Sequence, residues 1–134
     1  MPNQPLSSTE EVYNLIESDL KEAITLLDDF NRSSKDQINK YVAKGLLAYA
    51  LSARGTQADL QEVITLTSDV LANSGHPLTS RDEVVARLDG TTLLNPQSGF
   101  NNVATPSWIW GVDLTQEIGL NLISWWGQID IYTY

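Results

Sequence analysis

Several features are missing from this sequence, and each absence excludes a class of protein. There is no cysteine, which excludes disulfide frameworks, thiolate metal sites and cysteine nucleophiles. No stretch approaches the roughly 18–20 apolar residues of a membrane-spanning helix. Basic residues are scarce, with 8 Lys and Arg against 17 Asp and Glu. A net charge of −9 cannot form the basic face that nucleic acid or an anionic membrane requires, so neither partner is expected.

The residues that are present divide the chain into two unlike parts. All 8 Lys and Arg lie at or before Arg87, and all 4 Trp lie at or after Trp108. The first part has the charged, amphipathic pattern of helices, whereas the second is rich in Gly, Asn, Thr and aromatic residues. A chain of 134 residues is the size of one domain.

The two ends of the sequence give further expectations. Residues 1–4 have neither the charged start nor the apolar run of a signal peptide. The protein therefore stays in the cytosol, or its export signal lies outside this sequence, and composition does not separate the two. Residues 125–134 are apolar and aromatic, which is unusual for a chain end. We interpret the sequence as a truncated part of a longer protein.

Three long helices are predicted in the first part. Ser8 and Glu11 have the spacing of a capping box, Gly55 ends the second helix, and Gly75 with Pro77 ends the third. The expected helices span residues 8–30, 35–54 and 58–73. The link between the second and third is short, which makes them an antiparallel helical hairpin.

The second helix is expected at the centre of the bundle. From residue 41 to residue 53 only Lys44 and Ser52 are clearly polar, and a helix that is apolar on most sides is covered on several sides. The predicted fold class is therefore mainly α, with antiparallel hairpins of tetratricopeptide-like (α-α superhelix) type. Residues 1–78 form this helical region.

Residues 79–134 are predicted to be an irregular, loop-rich segment. A short helix is expected at residues 81–88, because Ser80 and Glu83 repeat the capping spacing. A loop follows to Pro106. Residues 107–114 alternate apolar and polar positions, as in a half-buried strand, with Trp108 and Trp110 both facing the core.

The order of elements resembles the middle of a SusD/RagB-family protein. The residues that carry the likeness are Val12, Tyr13, Ile16, Asp19, Leu20 and Ala23, then Lys44 to Ala48 with Leu51, then Val70, Leu71, Gly75 and Leu78, then Trp110, Gly111 and Val112. The resemblance covers residues 9–112. It implies stacked tetratricopeptide-like helix pairs that carry a loop-rich surface.

The resemblance also implies a function and a location. Such proteins are surface lipoproteins that capture a glycan ligand outside the cell and deliver it to a SusC-like TonB-dependent transporter of the outer membrane. The implied location is the surface of the outer membrane. The family's lipid-bearing Cys is absent from this chain, so membrane attachment is implied only through an N-terminal lipid outside it. No cofactor, metal or enzymatic activity is expected.

The predicted glycan-binding residues lie near the end of the sequence. Trp125 and Trp126 are adjacent, so in an extended chain one ring can pack while the other offers its flat face to sugar C–H groups. Gln128, Asp130 and Tyr132 can bond sugar hydroxyls. The alternative is that both rings pack against the missing remainder of the parent protein. Self-association through residues 125–134 is expected.

Two other side chains are interpreted as structural. His76 is the only histidine, and it has no second ligand or nucleophile beside it in sequence. Asp19 borders the apolar stripe of the first helix, where a buried acid would bond a loop N–H or a basic side chain.

Two further functions remain as alternatives. A free-standing tetratricopeptide-like adaptor would bind a peptide in its groove. A glycosidase would need two carboxylates held about 5–9 Å apart. The acids after residue 87 do not suggest such a pair; they are Asp89, Asp113, Glu117 and Asp130.

Overall fold

The computed structural model describes residues 6–85, 87–96 and 103–112. Its elements, in chain order, are α1 (Thr9–Leu26), α2 (Lys40–Arg54), α3 (Gln57–Asn73), the short α4 (Arg81–Val84), β1 (Leu88–Asp89) and β2 (Thr92–Leu93). The mainly helical fold class is confirmed, with a short two-stranded antiparallel sheet in the C-terminal part.

Helix α1 begins with the predicted capping box. The Glu11 backbone N–H donates to Ser8 Oγ at 3.2 Å, and the Ser8 N–H donates to Glu11 Oε2 at 2.7 Å. The helix ends at Leu26, earlier than the predicted residue 30. Asp28 and Asp29 follow this end, and negative charge at a helix C-terminus opposes the helix dipole.

Helix α2 begins five residues later than predicted, because Asn39 caps it. The Asn39 carboxamide oxygen accepts from the N–H groups of Tyr41 and Val42, both at 3.1 Å. Residues 35–39 therefore belong to the loop before the helix. The predicted end is confirmed, since Gly55 closes the helix with a left-handed φ of 73°.

The core of the described residues lies on α2, which packs against both α1 and α3. Its members are Val42, Ala43, Leu47, Ala48 and Leu51. Small side chains at two of these positions let the neighbouring helices approach. The predicted central position of the second helix is confirmed, but its apolar face with Leu46 and Tyr49 is exposed rather than covered.

Helix α3 follows α2 after two residues, so the two helices run antiparallel as predicted. Thr56 and Asp59 form its capping box, with the Asp59 N–H donating to Thr56 Oγ1 at 3.2 Å. After the helix, Gly75 has the expected left-handed φ of 76°.

Ion pairs connect the three long helices to one another. Lys21 contacts Glu17 one turn earlier in α1 at 2.7 Å, and also Glu62 of α3 at 3.1 Å. Arg54 of α2 contacts Glu17 at 2.6 Å. Lys44 of α2 contacts Asp69 of α3 at 2.5 Å. Each long helix is thus joined to both others by at least one charge pair.

The C-terminal part differs from its predicted elements. Helix α4 ends at Val84 rather than at residue 88, because Leu88 pairs with Leu93 across a turn at Gly90, whose φ is 62°. This hairpin lies where a loop was expected. The strand predicted at residues 107–114 is wrong over 107–112, which contain a turn residue and a bend but no strand.

The helices of the described residues include none with the length and apolarity needed to cross a membrane.

Candidate functional site

The loop between α1 and α2, residues 27–39, is hydrogen-bonded to segment 103–112. Arg32 Nη1 donates to the Ile109 carbonyl at 2.6 Å and to the Gln37 carbonyl at 3.3 Å. An irregular segment leaves backbone carbonyls without ladder partners. An arginine side chain, which carries only donors, can satisfy several of them at once.

Lys35 of the same loop holds the start of the segment. Its Nζ donates to the carbonyls of Val103 and Thr105, both at 2.9 Å. Burial lowers the pKa of the Lys35 ammonium, and the nearby Arg32 charge lowers it further. In return, the Gly111 N–H donates to the Lys35 carbonyl at 3.1 Å. Segment 103–112 is therefore bonded to this loop at both ends.

His76 joins the same contact from the turn after α3. Its Nε2 lies 2.7 Å from Arg32 Nη2, and its Nδ1 lies 3.0 Å from the Pro106 carbonyl oxygen. Arginine can only donate and a carbonyl can only accept. The ring is therefore the neutral tautomer in which Nδ1–H donates to Pro106 and Nε2 accepts from Arg32. The structural interpretation of His76 is confirmed.

The two tryptophans of the segment have different environments. Trp110 has 45% of its surface exposed, and its Nε1–H donates to the Asp36 carbonyl at 3.0 Å. The Trp108 ring is half-buried and lies against Gly111, where a Cβ atom would be 2.8 Å from its Cε3. The prediction that both rings face the core along one strand is wrong, because these residues form no strand.

A groove of about 500 Å³ lies where the loop meets the segment. Ser34, Lys35 and Asp36 form one wall, and residues 103–104 with 111–112 form the other. The first wall is polar. The second consists of Val, Ala and Gly. Apolar surface with a few convergent polar groups is the usual composition of a small-molecule site. Trp110 is bonded to Asp36 of the first wall and precedes Gly111 of the second in sequence.

A second groove, of about 490 Å³, lies between α1 and α2. Val12, Tyr13, Ile16, Tyr49, Ala50 and Ala53 line it together with Ser7 and Thr9. Tyr49 has 80% of its surface exposed there. This groove is apolar along most of its length, and it lies on the helices rather than on the irregular segment.

The predicted glycan-binding residues lie outside the described residues. They are Trp125, Trp126, Gln128, Asp130 and Tyr132, and their predicted role stays a prediction, as does self-association through residues 125–134. The irregular segment does place one tryptophan, Trp110, partly in solvent beside a groove. Sequence reasoning assigned that ring to the core.

The carboxylates considered earlier are not gathered into a pair in the described part. Asp19 is exposed on α1, so the expectation of a buried acid there is wrong. Asp89 is exposed in the β hairpin. Asp113, Glu117 and Asp130 lie outside the described residues. Among the residues described, no cluster of three His, Asp or Glu side chains could hold a metal ion.

Sequence reasoning missed Arg32 and Lys35 as the residues that organise this site. Both lie in a polar loop, where a basic residue ordinarily faces solvent. Their partners are backbone carbonyls 68 to 77 positions further along the chain. A carbonyl has no residue-specific signature, so no local pattern could have shown these contacts.

The fold and the site together define a general class, a helical scaffold that carries an irregular aromatic segment. Comparisons with protein-family models, curated protein sequences and solved structures found no match.

Proposed function

We propose that this chain is the tetratricopeptide-like part of a SusD-like cell-surface protein that captures glycans. Its ligand would be an oligosaccharide or polysaccharide, passed to a TonB-dependent outer-membrane transporter. The proposal begins from the residue pattern over 9–112. The antiparallel α2–α3 hairpin, the central second helix and the irregular segment beside them agree with that resemblance.

The observation that carries the proposal is the position of Trp110. Nearly half of the residue is open to solvent, and its Nε1–H bonds the carbonyl of Asp36, which lines the groove between residues 34–36 and segment 103–112. Sugars present C–H groups on one face and hydroxyls at the edge. An indole ring stacks on the C–H face, and polar side chains form hydrogen bonds with the hydroxyls.

The polar wall supplies suitable hydrogen-bonding groups. Ser34 has a hydroxyl that both donates and accepts, and Asp36 has a carboxylate that accepts from sugar hydroxyls. The Ser34 hydroxyl donates to Asp36 Oδ1, which orients the pair. Such a site binds a sugar by stacking and hydrogen bonds. The proposed mechanism contains no covalent step.

Glycan binding is tested by titrating the 134-residue chain with plant, host and microbial polysaccharides. Replacing Trp110→Ala should weaken binding by about tenfold, the usual cost of removing an aromatic anchor. Tyr49→Ala removes an exposed aromatic from the other groove and should leave affinity unchanged. Circular dichroism of both variants checks that the helices are intact.

The other outcomes separate the predicted sites. Loss of binding in Trp125→Ala or Trp126→Ala, with Trp110→Ala unaffected, would place the glycan on the sequence-predicted residues. Failure of the wild-type chain to bind any polysaccharide, together with no co-purifying transporter for the parent protein, would contradict the proposal.

A tetratricopeptide-like peptide adaptor is the second candidate, favoured by the apolar groove between α1 and α2. Tyr49 there is far more exposed than an aromatic ring of a closed helical core. An apolar peptide could place alternate side chains between the two helices. Selection from a displayed peptide library should then yield ligands whose binding is lost in Tyr49→Ala and kept in Trp110→Ala.

A further inference from the structure

We propose that His76 makes the docking of segment 103–112 sensitive to pH. The ring lies between the Arg32 guanidinium and the Pro106 carbonyl. One of these partners belongs to the loop after α1 and the other to the segment itself. The hydrogen-bond chain Arg32–His76–Pro106 therefore joins three parts of the molecule that are distant in sequence.

The two hydrogen bonds of the His76 ring can form together only when the ring is neutral. Nε2 must present its lone pair to Arg32, because the guanidinium has donors and no acceptor. Arginine stays protonated at any physiological pH. A proton added to Nε2 would remove the acceptor and place a second positive charge 2.7 Å from Arg32 Nη2. Both effects oppose the contact.

Among the described residues, few charged side chains lie on the elements that meet at His76. Segment 103–112 and the turn 74–80 have no charged side chain besides His76. The charged residues of the loop 27–39 and of the last turns of α3 are Asp28, Asp29, Arg32, Lys35, Asp36 and Asp69.

The carboxylates in this set are bound elsewhere or open to solvent. Asp28 pairs with Lys40, Asp69 pairs with Lys44, and Asp36 accepts from Ser34. Asp29 is exposed. Lys35, by contrast, adds positive charge on the Arg32 side. In the described part of the chain, the hydrogen bonds of the His76 ring go to Arg32 and to the Pro106 carbonyl and not to any of these carboxylates.

The direction of the effect follows from these contacts. Histidine changes its charge between about pH 5 and pH 8. Above that change the ring accepts from Arg32, and the segment is held. As pH falls, the ring gains a proton, the Arg32 contact is lost, and docking of the segment weakens. Residues 103–104 and 111–112 form one wall of the groove, so acidification opens that wall.

The helices should not share this response. The core residues Leu47 and Leu51 lie on α2 and have no titratable contact with the ring. The pH effect is therefore local undocking rather than global unfolding. This distinction makes the inference testable without a ligand, and independent of the proposed function.

Two measurements on the 134-residue chain test the inference. His76 is the only histidine, so its ring nitrogen signals in NMR are unambiguous. Near neutral pH these signals should show that Nδ1 carries a proton and that Nε2 does not. Hydrogen exchange, corrected for intrinsic chemistry, should then show faster exchange in segment 103–112 at about pH 5 than at about pH 7.5. The expected increase is about tenfold, as for one lost hydrogen bond to a charged group.

The matched variant is His76→Gln, whose amide oxygen accepts from Arg32 without titrating. In this variant, the hydrogen-exchange rate of segment 103–112, corrected for intrinsic chemistry, should be the same at about pH 5 and about pH 7.5. Arg32→Ala should exchange fast at both pH values. Exchange in α2 should not change in any variant.

Three results would overturn the inference. One is a protonated Nε2 near neutral pH. Another is an equal pH response in wild type and His76→Gln. The third is unchanged exchange in segment 103–112 while the ring titrates.

Discussion

Arg54, the last residue of α2, donates two parallel hydrogen bonds to Asp59 in the first turn of α3. Its Nε lies 2.8 Å from Oδ2 and its Nη2 lies 2.5 Å from Oδ1. Asp59 Oδ2 also accepts from the Thr56 N–H at 3.1 Å. The carboxylate is thus buried with its charge satisfied. This pair fixes the link between the two helices of the hairpin.

The Arg54–Asp59 pair should make stability fall in acid. The Arg54 guanidinium, with help from Thr56, holds the pKa of the Asp59 carboxyl well below its usual value near 4. A group with a lowered folded pKa stabilises the fold above its unfolded pKa and loses that effect as pH falls through the folded one. Asp59→Asn should therefore be destabilised most at neutral pH, and its deficit should shrink below about pH 4.

Urea unfolding midpoints, measured at several pH values, check this prediction. Asp28→Asn is the control, because Asp28 is mostly exposed in its pair with Lys40 and exposed pairs contribute little. A deficit in Asp59→Asn that stays constant down to the acid limit would contradict the assignment.

Leu47 should be far more costly to truncate than its neighbour Leu46. It is 1% exposed between α1 and α3, and removing a buried leucine side chain typically costs about 2–5 kcal/mol. The neighbouring Leu46 is 42% exposed, so Leu46→Ala should cost less than about 1 kcal/mol. Chemical denaturation of both variants gives the difference in free energy of unfolding. Equal costs would show that α2 is not covered as described.

Gly45 inside α2 and Gly55 at its C-cap should respond to alanine in opposite directions. Gly55 has a left-handed φ of 73°, so Gly55→Ala should destabilise the fold by about 1–2 kcal/mol. Gly45 lies inside the helix with open space around a Cβ, so Gly45→Ala should stabilise it by about 0.5–1 kcal/mol. Thermal and urea unfolding measure both changes. A loss of stability in Gly45→Ala would indicate that something covers this face of the helix.

Lys35 should hold segment 103–112 in place at any pH near neutral. Lys35→Met keeps an unbranched side chain of nearly the same length and removes two hydrogen bonds to backbone carbonyls. Hydrogen exchange in the segment should rise by about tenfold, since each lost bond to a charged donor weakens docking. Lys21→Met removes a surface lysine of α1 and should leave hydrogen exchange in segment 103–112 unchanged. Unchanged exchange in Lys35→Met would show that other contacts hold the segment.

The helical scaffold was predictable because its signals are local. The Ser8–Glu11 spacing predicted the start of α1, and Gly55 predicted the end of α2. The errors arose where a side chain takes part in a contact that the local pattern does not show. Residues 35–39 continue a helical pattern, yet Asn39 caps α2 and Lys35 is used against segment 103–112.

The irregular part was predicted poorly for the same reason. Alternation at Trp108 and Trp110 is typical of a strand, but a strand also needs a partner for its backbone. In this protein Arg32 and Lys35 satisfy the carbonyls instead. The predicted binding residues from Trp125 onward lie outside the described residues, so the sequence remains their only support.

The distance along the chain between Arg32 and Ile109, 77 positions, sets the order in which the molecule can assemble. Neighbouring helices pack together by closing short loops, whereas the contact between Arg32 and Ile109 closes a much longer loop and costs more conformational entropy. On the ribosome, which makes the N-terminal part first, the three helices can pack while Arg32 and Lys35 still face water. The late-emerging carbonyls then find their donors already in place.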